Sequence, residues 1–244
     1  MDLQLRPADP ADFAALQTIA LSGGSPDSDH RYFDFVRSAG QLMVATADAV
    51  VIGFAGSVPV RHSVMICDLF VAPAWRAHGA GRRLLETMVD GCPSRTTFSS
   101  AHPAALRLYE AFGMAPGERL LTMEGVGGGS GTPLVPGRWQ HDRHDLVDHF
   151  GRSGAVITGH SVVSCSAGVL DVRRVQGDES QRALADLIAA AGASDTITLS
   201  ILETHPLLPW LERQGFAEVD HDVRCSSPDV DSNTFVTCVH RGLC

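Results

Sequence analysis

Apolar residues recur along the first half of the chain in two rhythms. Phe13, Leu16, Ile19 and Ala20 lie three or four apart, the spacing of one helix face, with Asp9 or Asp12 placed to start the helix. The preceding "LQLRP" reads as a short strand. "SGGSPDSDH" is loop-like by composition, and "RYFDFVRSA" reads as a second short helix. "QLMVATADAVVIGFAGSVPV" predicts two strands around a turn near Asp48, and "HSVMICDLFV" a further strand leading into a helix near Gly81. "RTTFSSA" is strand-like, "PAALRLYEAF" helical, and "GERLLTMEG" a closing strand. This alternation predicts a mixed α/β domain over residues 1–124. Five glycines and no large side chain before Pro133 mark "GVGGGSGTP" as linker-like, so a linker is placed at 125–137 and a second domain at 138–244.

Composition narrows the function classes. The formal charge of −9 disfavours nucleic acid as a partner, because phosphate binding draws on excess basic residues. The chain has no lysine, so all its permanent side-chain cations are arginines. The start, "MDLQLRPADP", lacks the basic-then-apolar layout of a signal peptide, and no uncharged apolar run is long enough to span a membrane. Six cysteines at irregular spacings, with no C-x-x-C pair, fit reduced thiols better than a disulfide framework, so a cytoplasmic location is expected.

The candidate chemistry begins at "DLFVAPAWRAHGAGRRLLETMV". A helix start leaves about four backbone amides without acceptors and carries partial positive charge. Arg76, Ala77, His78, Gly79, Ala80 and Gly81 offer such amides with little side-chain obstruction, and an anionic phosphate is the natural guest. Arg76 and Arg82 are placed to add charge-assisted hydrogen bonds. The competing reading is a plain strand-to-helix connection. Without lysine the turn is not a P-loop, and its glycines do not fit G-x-G-x-x-G.

The turn resembles the acetyl-CoA signature of the GNAT superfamily of N-acetyltransferases, (Q/R)-x-x-G-x-(G/A) after a strand ending Val-x-Pro. Here it reads Val71-Ala72-Pro73, then Arg76-x-x-Gly79-x-Gly81. "SSAHPAALRLYEAFGM" is similar to a second family segment, N-x-x-A-x-x-L-Y-x-x-x-G-F, with Tyr109 and Gly113 in place, Met114 for the Phe and His102 where the family often has Asn. The resemblance covers residues 3–124. It implies a central mixed sheet flanked by helices, acetyl-CoA as cosubstrate and acyl transfer to an amine. By the same resemblance, the pyrophosphate would rest on residues 77–82 and the pantetheine arm would pair with Leu69, Phe70 and Val71; His102 reads either as a hydrogen-bond partner of the cofactor or as a helix cap. Two central strands would splay where that arm inserts.

Within that implied chemistry, Tyr109 is the candidate proton donor to the departing thiolate, since a phenol is protonated at neutral pH; the alternative is plain packing. Asp68 is the candidate base, with a solvent-facing or loop-fixing role as the alternative, and a water chain also remains open. Glu110 reads as a solvated charge. The segment "GGSPDSDHRYFDF" would build the acceptor pocket, its Asp27, Asp29 and Asp34 beside Tyr32 and Phe33 suiting a cationic amine; a solvated acidic loop is the other reading. The acceptor expected is a small-molecule amine or an amino terminus; a longer acyl donor, a hydroxyl acceptor, or a non-enzymatic acyl-CoA-binding sensor or subunit is the alternative, and oligomeric state is open.

The second half tracks the first. "TITLSILETHPLLPWLERQGFAEV" parallels "TTFSSAHPAALRLYEAFGMAPG", and "LDVRRVQGDESQRALADLI" falls at nearly the same offset after the glycine turn. Duplication and chance apolar patterning both account for this. In a duplication, Ser180 and Arg182 replace the glycine pair, Asp178 and Glu179 would repel a pyrophosphate, and Leu211 takes the place of Tyr109. That describes a degenerate GNAT-like half. In "WQHDRHDLVDH", a helix would put His141, His144, Asp145 and Asp148 on one face, with His149 adjacent; this fits a metal site or, more simply, a solvated helix start, and no metal is expected.

Overall fold

The computed structural model describes residues 3–25, 29–60, 62–129 and 133–230. Its described residues form two compact units, each a mixed sheet with helices packed on it. The first comprises Met1–Phe98, Pro103–Ala115 and Cys225–Val230; the second comprises Ser99–His102 and Pro116–Arg224.

In the first unit, β1 (Leu3–Pro7), β2 (Gln41–Ala47), β3 (Val50–Val60), β4 (Ser63–Val71) and β5 (Arg95–Ser99) are neighbours in that order. All pairs are antiparallel except β4 with β5. The β2–β3 hairpin turns on Asp48 and Ala49, both at positive φ, a backbone matched to the right-handed twist of the strands. Between the strands run α1 (Phe13–Ser22), α2 (His30–Ala39), α3 (Ala80–Val89) and α4 (Pro103–Glu110). A capping box of Asp9 and Asp12 forms around a single 3-10 turn ahead of α1. Asp12 also grips Arg6 through a bidentate pair at 2.7 and 2.8 Å. Asp29 caps α2 by accepting from the Tyr32 amide. Phe13, Leu16, Phe33, Phe54, Leu84 and Leu85 are at most 4% exposed and form the core on which the strands rest.

The second unit holds β6 (Ala115–Val126, all but its first residue), α5 (His144–Arg152), β7 (Val156–Ile157), β8 (Ser161–Ser166), β9 (Val169–Val175), α6 (Ser180–Ala190), β10 (Thr196–Leu202), α7 (Leu208–Arg213) and β11 (Ala217–Ser226) up to Arg224. β8 and β9 are antiparallel and β9 and β10 parallel, the same senses as β3–β4 and β4–β5. Its core gathers Leu121, Val163, Val172, Leu184, Leu187, Ile197, Leu199 and Leu211.

Two features differ from the sequence expectation. The strand expected to close the first domain, β6, pairs with β10 inside the second unit from Leu120 to Val126, whereas Cys225–Val230 from the chain's far end belongs to the first unit and bonds β5 through Ser227 and Arg95. The glycine run is not a tether where it is described. The amides of Gly127, Gly128 and Gly129 donate to Asp195, Ile188 and Ala191, and a Cβ on Gly127 would lie 2.3 Å from the Gly192 carbonyl. Glycine is used there for close backbone approach rather than flexibility. Residues 130–132 lie outside the described residues.

Candidate active site

Strands β4 and β5 form a fork. They pair over only three positions, ending at Ile66 with Thr97, and from Cys67 to Val71 the ladder to β5 is missing. On the other edge β4 stays paired with β3, but the register slips between Gly56–Asp68 and Ser57–Ile66, leaving Cys67 as an extra residue. Such a bulge bends a strand and re-aims the side chains beyond it. Asp68, the next residue, is only 6% exposed, and its Oδ2 accepts a 2.6 Å hydrogen bond from the Tyr32 hydroxyl. Burial lifts the Asp68 carboxyl from its ordinary 3.8 to about 7, against the opposing pull of the Tyr32 hydrogen bond.

Tyr109 reaches the same fork from α4. It is 6% exposed and hydrogen-bonded to the Thr97 side chain, whose hydroxyl in turn donates to Ile66 O at 2.9 Å. Thr97 and Ile66 are the last paired residues of the two strands, so the phenol sits where they part. Burial raises the phenol above its usual range, with lesser contributions from Cys225 and Asp68, and Thr97 works in the opposite direction. Tyr109 is therefore protonated at any physiological pH.

Beyond the fork, Val71 leads through a 3-10 turn at Pro73–Trp75 into the glycine turn. Ala77 and Gly79 both have positive φ, at 64° and 85°. No side chain caps α3. The first intrahelical amide bond runs from Arg83 to Gly79 O, so the amides of Ala80, Gly81 and Arg82 have no acceptor within the helix. A Cβ on Gly79 would meet nothing within 4 Å, while one on Gly81 would touch Val71 and Leu108. The result is an exposed, uncapped helix start with open space in front of it, a geometry suited to an anion.

Residues 12–114 match the acetyltransferase (GNAT) family. This segment is a GNAT acetyltransferase domain. The protein is accordingly an acyltransferase, with acetyl-CoA as cosubstrate. No protein of curated function matches the sequence. Among solved structures, a Pyrococcus horikoshii protein that carries the acetyltransferase name superposes with a TM-score of 0.72 at 14% identity, over 99% of this chain and 96% of its own. A GCN5-related N-acetyltransferase from Sphaerobacter thermophilus gives 0.58 at 15%, over 96% and 98%. One from Anabaena variabilis gives 0.57 at 15%, over 92% and 72%. At these identities the likeness establishes the fold, a mixed α+β architecture along nearly the whole chain.

In this acetyltransferase the structure brings Asp68 and Tyr109 together at the fork and sets Leu69, Phe70 and Val71 on its unpaired edge. Asp68 does not face solvent. Arg76 donates through Nε to Val71 O at 3.2 Å, His78 Nδ1 lies 2.8 Å from Arg76 O, and Arg82 lies over the Phe112 ring at 5.2 Å. Both arginines are exposed, Arg76 bonded within the turn and Arg82 resting on Phe112. His102 is exposed, just before α4, and is grouped with the second unit. Glu110 is exposed.

Among the described residues, the acidic-aromatic pocket expected from "GGSPDSDHRYFDF" does not assemble. Asp29 is spent on the α2 cap, Asp34 is exposed and paired with Arg37 at 2.8 Å, Phe33 is fully buried against Phe13 and Phe54, and Asp27 lies outside the described residues. Among the described residues of this segment, Tyr32 is the one with a bond to Asp68. The shared histidine face also fails, because α5 starts at His144, after Arg143 in left-handed backbone, and His141 lies before it. His141 instead bonds His160 at 3.0 Å. Among the described residues no group of three or more His, Cys, Asp or Glu stands where it could hold a metal. Sequence reasoning missed Thr97, the Cys67 bulge and the Tyr32–Asp68 pair. Tyr32 carried one faint signal, being one of only two tyrosines in the chain.

Proposed function

We propose that the chain is an N-acetyltransferase that moves the acetyl group of acetyl-CoA to an amine by direct attack at the β4–β5 fork. The observation that carries this reading is the convergence of a buried carboxylate and a buried phenol where the two strands part, one junction ahead of an uncapped helix start. The residues present fit acetyl-CoA: amides at 77–82 would take its diphosphate, and the unpaired edge at Leu69, Phe70 and Val71 would take its amide-bearing arm as an added strand. When bound, it supplies the activated acetyl carbonyl.

The chain's own residues handle the protons. As the amine nitrogen bonds to the carbonyl carbon and the C–S bond breaks, the Asp68 carboxylate takes the proton that nitrogen loses. Tyr109 gives its proton to the leaving sulfur and is reprotonated from solvent. With its pKa raised by burial, Tyr109 is a weaker acid than a free phenol and stays protonated until the thiolate departs. Amides freed by the fork are placed to stabilise the developing oxyanion.

We further infer that the second unit is a duplicated half without donor chemistry. The equivalence is local and geometric. Met114 N donates to Tyr109 O and Phe216 N to Leu211 O, both at 3.1 Å, and Gly113 and Gly215 both have positive φ. Leu211 thus stands where the phenol stands in the first unit. The test is thiol release from acetyl-CoA over a panel of amines. The reading predicts amine-dependent release that Asp68→Asn abolishes and Tyr109→Phe lowers; acetyl-CoA binding without turnover on any amine would overturn it in favour of a sensor.

A further inference from the structure

We propose that Tyr32 is a positioning residue of the acetyl transfer, its hydroxyl orienting the Asp68 carboxylate through Oδ2 so that the other oxygen is directed to the acceptor amine. The proposal deepens the function above and rests on Asp68 being the base. A buried tyrosine hydroxyl ordinarily finds a partner, and any nearby carbonyl would serve. Here it takes a carboxylate 36 residues away, and this is the one side-chain hydrogen bond of Asp68 among the described residues.

Three features deliver the hydroxyl to that spot. Asp29 fixes the start of α2 by capping the amide of Tyr32 itself. Phe33, Phe35 and Val36, all buried, anchor the helix on the sheet. Gly56, the β3 residue opposite Asp68, has no side chain where a Cβ would stand 2.9 Å from Val36 and 3.2 Å from Asp68 Oδ2. Among the described residues, the titratable groups coupled to Asp68 are Tyr32 from α2 and Tyr109 from α4, neither of them a cation. One hydrogen bond from Tyr32 is therefore the main force opposing the effect of burial on the carboxylate. A tyrosine that only filled space would leave the base's titration unchanged.

The test compares the pH dependence of kcat/KM in wild type, Tyr32→Phe and Asp68→Asn. Removing a hydrogen bond to a charged group is expected to move the rising limb up by about one pH unit and to lower kcat/KM roughly fivefold at pH 7 and about tenfold well below the limb, with KM for acetyl-CoA unchanged. An unshifted limb in Tyr32→Phe, while Asp68→Asn removes the limb, overturns the positioning role alone. A limb that survives in Asp68→Asn overturns the underlying assignment of the base. Should Tyr32→Phe fold poorly, 3-fluorotyrosine in the Tyr109→Phe variant reports on Tyr32 by itself, since the chain has two tyrosines. Its fluorine signal is expected to titrate with Asp68 and to lose that titration in Asp68→Asn; a pH-independent signal overturns the proposal.

Discussion

The chain builds a parallel strand–helix–strand motif twice, and the two strand-to-helix junctions end differently. After β4, the turn runs through Ala77 and Gly79 in left-handed backbone, no side chain caps α3, and residues 76–80 are exposed except for Ala80 itself. After β9, the turn is braced from within at its first amide, although α6, like α3, has no side-chain cap. Ser180 donates to Gly177 O through both its amide and its hydroxyl, and Gln176 holds Asp142 at 2.8 Å. The His141 ring lies against Gly177, where a Cβ would come within 2.5 Å of it. Asp178 and Glu179 complete the second turn with the charge an anion avoids. A shared topology therefore fixes neither a site nor its absence. Both helices start without a side-chain cap; what differs is the backbone path of the turn, the bracing of its first amide, and the charge beside it.

The strongest test of that contrast is removal of the base found beside the first junction. Asp68→Asn is expected to lower kcat about a hundredfold or more and to flatten the rise of activity near pH 7. It also has a stability signature. Native Asp68 titrates near 7 and the unfolded residue near 3.8, so the native state binds more protons in that window and stability falls as pH rises through it. Thermal unfolding between pH 4 and 7 is expected to lose part of that slope in Asp68→Asn, and unchanged curves would contradict the burial of the carboxylate.

Leu211→Ala probes the second unit at the position matching Tyr109. Leu211 is fully buried, so truncation is expected to cost about 2–5 kcal/mol by denaturant unfolding while leaving the affinity for acetyl-CoA unchanged. His78→Glu brings to the first turn the kind of charge that the second carries. Acetyl-CoA affinity is expected to fall about tenfold by calorimetry with little change in Tm, from like-charge repulsion at an exposed site. Gly79→Ala forces a side chain into φ 85° and is expected to cost about 1–2 kcal/mol of stability, read by denaturant unfolding.

How much of this was legible in the sequence depends on the range over which each feature is determined. The glycine turn and its helix are local, and the helix begins at Ala80, one residue from the expectation. Asp68 was visible as a candidate because strand and turn lie together in sequence, but its burial was not, since that depends on a helix 36 residues earlier. Tyr32 was assigned to an aromatic pocket for the same reason. Strand partners were the least legible: β6 is placed by pairing across 70 to 82 residues and Cys225–Val230 by bonds across 132, for which a single sequence carries no register information. The glycine run shows a different limit, because one composition serves a flexible tether and a tightly packed crossing equally well.

The most direct test of the central claim is calorimetric titration of the intact chain with acetyl-CoA, alongside His78→Glu and a variant opening the second turn, Glu179→Gly. The account predicts one equivalent bound per chain, weakened by the first substitution and unaffected by the second. Two equivalents, or binding that His78→Glu leaves intact and Glu179→Gly alters, would contradict it.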